Sequence, residues 1–160
     1  MARDTQPGLT PSLLDRFIDP AFQRGEALRG FSVSEMADAV RRDLEDLLNT
    51  RQSSHRVPEA CAEVRRSLIA FGLPDLNSLN AVTLEQCEDI GRTLAQIVEL
   101  FEPRLKEVQA KLVEGEGDRK RRTLRYRIDA RLRVEPAPEV AFETTLELTS
   151  GQSSVKRADS

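Results

Sequence analysis

The sequence predicts an α+β fold, in which several N-terminal helices are followed by a three-stranded antiparallel β-sheet. Apolar residues recur every three or four positions as far as Phe101, the spacing of helices that pack one face on a core. After Pro103 they recur at every second position, as in half-buried strands. Proline lacks a backbone N–H and disfavours helical geometry in the preceding residue, so the last helix should end by Glu102. A run of helices followed by a run of strands is typical of an α+β domain.

The composition indicates an ordinary soluble domain. The chain of 160 residues can build one real core, and its net charge of −3 gives no overall attraction to nucleic acid or to an anionic membrane. No apolar run reaches the ~20 residues of a membrane span, and the N-terminus lacks the apolar stretch of a signal peptide. We therefore expect a cytoplasmic protein without direct membrane insertion.

A single domain is predicted between two disordered ends. Residues 1–9 and 150–160 are expected to be disordered, because they carry no periodic apolar signal. The domain then covers residues 10–149. It comprises an N-terminal helix and linker over 10–30, further helices over 31–102, and the antiparallel sheet over 104–149.

The first helix has an apolar face whose role the sequence leaves open. Thr10 can cap this helix, with Pro11 at its first position. The apolar face consists of Leu13, Leu14, Phe17 and Ile18. Such a short helix either docks on its own domain or anchors a partner protein.

Two capping boxes mark the starts of the longest helices. They are Ser32 with Glu35 and Thr83 with Gln86, in which each side chain can satisfy the other residue's backbone N–H. Between them, residues 58–71 are predicted to form a third helix that is ended by Gly72 and Pro74. In the last helix Gly91 lies mid-element, where it costs about 1 kcal/mol relative to alanine and indicates a close-packing point.

The cysteine and histidine residues predict no reactive or metal site. Cys61 and Cys87 both fall on apolar stripes of predicted helices, so we expect two buried thiols that act as small hydrophobes. The single histidine, His55, lies in a polar loop. No motif indicates a cofactor.

The strand that carries the most arginine residues is better explained by cross-strand pairing than by nucleic-acid binding. If the last hairpin is centred on Ala137, Arg131 lies opposite Glu143 and Arg127 lies opposite Glu147. The strand has one aromatic residue, Tyr126, which belongs to the apolar face and offers no stacking platform. We expect no nucleic-acid partner.

Four segments together resemble a known family. They are Ser12–Phe17 (SLLDRF), Val40–Arg51 (VRRDLEDLLNTR), Phe71–Leu76 (FGLPDL) and Phe101–Leu105 (FEPRL). In this order they resemble the TssE family of type VI secretion baseplate subunits, which is related to the wedge and sheath-initiator proteins of contractile phage tails. The resemblance covers roughly residues 11–148. Phe71 stands where the family pattern has tyrosine, a change that keeps the ring.

The resemblance implies a structural role in an assembly. Family members lie in the baseplate wedge with TssF and TssG, near TssK, and offer strands on which the TssB–TssC sheath is built. The family's Glu-Pro-Arg motif corresponds to Glu102, Pro103 and Arg104, which would hold the domain to the wedge core. Edge strands of a short sheet can accept a strand from another chain, which fits this role.

Two other functions are considered. The family also carries a lysozyme-like label, but glycoside hydrolysis needs a carboxyl group that stays protonated, and an arginine two residues from Glu102 favours a carboxylate. The chain has no tryptophan and one tyrosine, so aromatic sugar platforms are scarce. A regulatory protein-binding adaptor on the same fold is the third class.

Overall fold

The computed structural model describes residues 9–18, 20, 24, 30–52, 60–74, 83–113 and 123–158. The helical elements are α1 (Leu13–Ile18), α2 (Val33–Asn49), α3 (Ala62–Arg65), a 3-10 helix (Leu68–Ala70) and α4 (Leu84–Phe101). The strands are β1 (Leu105–Leu112), β2 (Thr123–Leu132), β3 (Glu139–Glu147) and β4 (Ser153–Arg157). The strands form one antiparallel sheet in the order β1-β2-β3-β4, so the predicted α+β class is confirmed.

The change of period at Pro103 marks a real corner between α4 and β1. Helix α4 begins after the Thr83–Gln86 capping box and ends at Phe101. Glu102 leaves helical geometry while its backbone N–H still donates to the carbonyl oxygen of Val98 at 2.8 Å. Strand β1 starts at Leu105, so the whole reversal takes only three residues. The backbone alone therefore sets the direction in which β1 leaves the end of α4.

The core lies between the two long helices and one face of the sheet. Helix α4 packs chiefly on β1, and α2 packs chiefly on β4. Gly91 of α4 is a close-packing point, since a Cβ there would lie 3.1 Å from the carbonyl oxygen of Ala110 and 3.2 Å from Cε1 of Tyr126. The Tyr126 hydroxyl donates to the carbonyl oxygen of Cys87 at 2.7 Å. Burial raises the pKa of this hydroxyl.

The prediction of three strands is wrong, because a fourth strand lies in the stretch that was expected to be a disordered tail. Strand β4 pairs with β3, and Val155 is buried in the core. The chain reverses at Gly151, whose φ of 68° favours glycine, and its N–H donates to the carbonyl oxygen of Glu147 at 2.7 Å. With one apolar residue in five, β4 has no alternation strong enough to be recognised in sequence.

The register of the last hairpin also differs from the prediction. Arg131 lies opposite Glu139 and Arg127 lies opposite Glu143, four residues from the predicted pairing. The reason is that Glu139 is already the first residue of β3, so the connecting loop covers only 133–138. Opposite charges still face each other, and an Arg131 Nη2 to Glu139 Oε1 hydrogen bond measures 3.0 Å.

The predicted third helix is replaced by two shorter pieces. Residues 53–59, including Pro58 and His55, lie outside the described residues, and from there the chain forms only α3 and the 3-10 helix. The Ser67 hydroxyl donates a hydrogen bond to the Val64 carbonyl oxygen and accepts one from the Ile69 N–H. Such local side-chain bonds to the backbone compete with the hydrogen bonds that would continue the helix. As a result Cys61 is exposed, against the prediction, whereas Cys87 is buried as predicted.

Residues 1–8 of the predicted disordered N-terminus lie outside the described residues, and Leu9 is the first residue that the structure describes. Leu9 is buried in the core, and its carbonyl oxygen accepts from the Phe31 N–H at 2.8 Å. Helix α1 is capped by Ser12 rather than Thr10: the Ser12 hydroxyl accepts from the Asp15 N–H at 3.1 Å, and the Ser12 N–H donates to the Asp15 carboxylate at 3.1 Å. This reciprocal pair has the form of a capping box with aspartate in place of glutamate.

Candidate protein-binding site

Five alternating charges connect the corner after α4 to helix α1. In order they are Glu102, Arg104, Asp43, Arg42 and Asp15, and we call this set the charge chain. Each member contacts the next through a side-chain hydrogen bond. Three carboxylates and two guanidinium groups are present, so the set carries a net charge of −1 if all are ionised.

At one end of the charge chain, Arg104 is held by two carboxylates. Its Nε donates to Oε1 of Glu102 at 2.7 Å, and its Nη2 donates to Oε2 of Glu102 and to Oδ2 of Asp43, the latter at 2.5 Å. Burial by itself lowers the pKa of the Arg104 guanidinium, but hydrogen bonds and charge from Glu102, then from Asp43, outweigh it and raise that pKa. Arg104 is therefore a permanent cation in a fixed orientation.

The corner is less accessible than its sequence suggests. Glu102 is only 4% exposed, and its carboxylate also accepts from the Arg104 backbone N–H at 3.2 Å. Pro103 is exposed, and about a quarter of the Arg104 side chain reaches solvent. The Nη1 atom of Arg104 is buried and has no hydrogen-bond partner. Pro103 and part of Arg104 are therefore accessible from outside the domain, while Glu102 faces the protein interior.

At the other end of the charge chain, helix α1 is bound by its polar side. Asp15 is 6% exposed, and its Oδ1 accepts from Nη2 of Arg42 at 2.6 Å. Burial by itself raises the pKa of Asp15, but hydrogen bonds from Arg42 and Ser12 outweigh it, so the pKa lies below its ordinary value. This contact fixes the side of α1 that faces the domain.

The apolar side of α1 consequently faces solvent. Its four apolar residues are all more than half exposed: Leu13 71%, Leu14 54%, Phe17 66% and Ile18 55%. A small amphipathic helix normally buries this side against its own core. The apolar side therefore does not dock α1 on its own domain, which was the first of the two roles that the sequence left open.

The structure thus joins both sets of predicted site residues through two residues that sequence reasoning missed. Arg42 and Asp43 of α2 connect Asp15 to Arg104, and neither was predicted to belong to a site. Their only signal in the sequence is an adjacent pair of opposite charges on a helix rich in both signs. Such pairs are common, so the partners across 27 and 61 residues of chain could not be inferred.

A comparison with known protein families identifies the family of this chain. Residues 34–137 match the family model described as baseplate wedge protein gp25. The chain belongs to the gp25 baseplate wedge family. The matched domain is the one that defines the TssE family, so the resemblance seen in the sequence motifs is confirmed. The comparison with curated proteins gives no match.

Membership of the gp25 family gives the protein a structural role in the baseplate of a contractile system, where it acts with other baseplate and sheath components. The match includes nearly all of α2, together with α4, β1, β2 and the Glu102–Arg104 corner, whereas α1, β3 and β4 lie outside it. Within the described residues, no cluster of histidine, cysteine and carboxylate side chains could hold a metal ion, and no helix is long and apolar enough to cross a membrane.

Proposed function

We propose that this protein is the TssE-type subunit of a bacterial type VI secretion baseplate, that it joins the wedge to the contractile sheath, and that it initiates sheath polymerisation by strand addition. The observation that carries the proposal is the match to the gp25 baseplate wedge family across the corner and both long helices. In this role the protein is not an enzyme, and it works in the cytoplasm on a baseplate docked at the inner membrane.

The wedge contact is assigned to the corner and to α1. The wedge proteins TssF and TssG, with TssK nearby, are the proposed partners. Glu102 is buried, so it acts by orienting Arg104 rather than by touching the wedge. The Arg104 side chain is about a quarter exposed next to the rigid Pro103, and its Nη1, which is buried and has no hydrogen-bond partner, is the donor left for a charge-assisted hydrogen bond to an acceptor on the partner.

Helix α1 supplies the apolar part of the same contact. Because Asp15 fixes the helix through its polar side, Leu13, Leu14, Phe17 and Ile18 are presented outward without the need for a rearrangement. Covering such side chains on binding provides about 25 cal/mol per Å² of apolar surface before the costs of association. A partner with an apolar groove and a nearby hydrogen-bond acceptor therefore fits both ends of the charge chain.

The sheath contact is assigned to the sheet. A partner strand from the TssB–TssC sheath would gain affinity from backbone hydrogen bonds, and alternating side chains would fix its register. The sheet has two edge strands, β1 and β4, at which such a strand could be added.

The wedge contact is tested by co-expression with TssF, TssG and TssK. Wild-type protein should retain the wedge proteins on purification, and Arg104→Ala should lose them. Arg92→Ala is the matched control, because Arg92 also pairs with a carboxylate, Asp89, but does so on the exposed face of α4. Circular dichroism checks that each variant is folded.

A second variant tests the apolar part of the contact without touching the charge chain. The double change Leu13→Ser and Leu14→Ser alters exposed side chains and should leave the melting temperature unchanged, while wedge retention falls. If both this variant and folded Arg104→Ala keep the wedge proteins, the assignment of the wedge contact to this surface is wrong.

A further inference from the structure

The two edge strands of the sheet differ in whether their outward backbone groups are already bonded. At the two ends of β4, the Ala158 N–H donates to the Ala141 carbonyl oxygen, and the Gln152 carbonyl oxygen accepts from the Glu147 N–H, both at 2.9 Å. Because hydrogen bonding alternates along an antiparallel pair, Ser153 and Val155 direct their N–H and C=O groups away from β3. These are the groups that a strand added at β4 would need.

Side chains of α2 already bind those groups. Asn49 bonds Ser153 twice: its Nδ2 donates to the Ser153 carbonyl oxygen at 2.9 Å, and its Oδ1 accepts from the Ser153 N–H at 2.8 Å. This is the same exchange that a residue of a neighbouring strand would make. The Val155 N–H and carbonyl oxygen contact Glu45 and Arg41 at 3.5 and 3.4 Å. The outer edge of β4 is therefore covered, as exposed edges of natural sheets commonly are.

Strand β1 has an open edge along its second half. The Val113 N–H donates to the Arg125 carbonyl oxygen at 2.8 Å, which means that Ala110 and Leu112 direct their backbone groups away from β2. No residue in the described parts of the chain makes a hydrogen bond to these outward groups, although the Ala110 carbonyl oxygen packs closely against Gly91 of α4. The pairing irregularity between Lys106 and Gln109 confines the regular open edge to the residues after it.

The side chains of this open edge specify the kind of strand that fits. On the core side, Val108, Ala110 and Leu112 are only half-buried, whereas Val155 at the other edge is 3% exposed. Apolar side chains on an added strand would complete the burial of that row. The core-facing side chains are thus incompletely buried at the β1 edge and buried at the β4 edge.

On the solvent side of the sheet, a row of charged residues across the four strands indicates which charge the incoming strand should carry. The row runs Lys111, Arg127, Glu143 and Lys156 from β1 to β4. Lys156 lies opposite a carboxylate, but Lys111 lies opposite Arg127 and has no carboxylate partner among the described residues. Arg127 already pairs with Asp129 of its own strand at 2.8 Å, which leaves Lys111 as the positive end of the row, so an acidic residue beside Lys111 would give it an opposite charge.

We propose that β1, from Gln109 to Leu112, is the edge that accepts the incoming sheath strand, and that this strand alternates apolar with acidic residues. This inference rests on the proposed function, since it specifies which edge and which kind of segment the sheath contact uses. Because side chains of α2 cover the outer edge of β4, a strand is added only at β1. Each subunit would therefore extend the sheath from one side of its sheet.

The test places one proline at each edge. Ala110→Pro removes an N–H that no described residue uses and adds a ring where the partner strand would lie, so the fold is kept but strand addition is blocked. Arg157→Pro is the control at the other edge, because the Arg157 N–H also points away from its neighbouring strand, on β4; it also removes an exposed ion pair with Asp38, so circular dichroism checks that this variant is folded. Each variant is co-expressed with the wedge proteins and with TssB–TssC, and retention of the two groups is measured separately.

We expect Ala110→Pro to retain the wedge proteins and to lose sheath retention by about tenfold, a change of about 1.4 kcal/mol, while Arg157→Pro retains both. Loss of the sheath with Arg157→Pro alone would assign the contact to β4 and overturn the proposal. Retention of the sheath by both variants would show that it does not bind by strand addition at either edge. A wild-type protein that keeps the wedge but no sheath would overturn both the sheath role and the edge assignment, leaving the wedge role intact.

A charge exchange gives a second test that does not depend on tolerance of proline. Lys111→Glu and Lys156→Glu change exposed side chains at the two ends of one row, so both proteins should fold normally. Lys111→Glu should weaken sheath retention severalfold, and the loss should shrink at high salt. An equal effect of the two substitutions would contradict the predicted acidic residue beside Lys111.

Discussion

Arg104 donates a 2.5 Å hydrogen bond to the carboxylate of Asp43, from which it is separated by 61 residues of chain. The bond ties the corner between helix and sheet to the middle of α2. Asp43 uses its other oxygen to accept from Arg42, which in turn binds Asp15 of α1. The corner and the exposed apolar side of α1 are therefore parts of one connected structure rather than two separate binding elements.

Asp43 is the residue on which this connection depends. Replacing it with asparagine leaves two guanidinium groups sharing a neutral amide, and should lower the free energy of unfolding by about 1–2 kcal/mol, between the values of exposed and buried ion pairs. Urea denaturation measures the change. Asp46→Asn on the exposed side of the same helix is the control and should have almost no effect. Equal stability of the two variants would show that the charge chain contributes nothing.

The stability contributed by the Asp15–Arg42 contact, which attaches α1 to the domain, should depend on pH. Because the pKa of Asp15 is lowered below 3.8 in the folded protein, the folded state favours the carboxylate. Its contribution is fully present above pH 3.8 and is lost as the pH falls through the folded value. Unfolding measured against pH should show wild type more stable than Asp15→Asn at pH 7, with the difference shrinking in acid. A constant difference down to pH 2 would contradict the assignment.

Gly91→Ala should destabilise the protein even though alanine is the better helix former. The new Cβ would lie 3.1 Å from a backbone oxygen of β1 and 3.2 Å from the ring of Tyr126, and that ring is buried and held by its hydroxyl bond to Cys87. Since neither neighbour can easily move, the crowding should exceed the gain of about 1 kcal/mol in helix propensity. Thermal unfolding measures the result, with Glu88→Ala on the exposed side of α4 as the control. A rise in melting temperature for Gly91→Ala would contradict the close packing.

Thr144→Val should stabilise the protein. Thr144 is fully buried on β3, and its hydroxyl oxygen has no hydrogen-bond partner. Valine has nearly the same shape and removes the desolvated hydroxyl, so we expect a gain of about 1 kcal/mol in the free energy of unfolding. Thr145→Val, on the half-buried neighbouring position, should change stability much less. A loss of stability for Thr144→Val would indicate that the hydroxyl is satisfied by bound water.

Features that depend on neighbouring residues were predictable from the sequence. Both capping boxes, the end of α4 before Pro103 and the alternation along β2 follow from contacts within a few positions of the chain. The replacement of the third helix by α3 and a 3-10 helix was not, because Val64 and Leu68 have helical spacing but Leu68 remains 86% exposed. Spacing shows that residues share a side of a helix, but not that anything covers that side.

The sequence by itself determined the fold class, the family and the residues of the corner, since each is encoded in local pattern or motif. Only the tertiary structure decided that Glu102 is buried, that α1 faces outward with its apolar side, and that Asn49 closes β4. The physical reason is that these outcomes depend on which side chains meet across 27 to 104 residues of chain. A charged or amide side chain has the same local signal whether it binds water or a distant partner, so its role is set when the core brings that partner within hydrogen-bond distance.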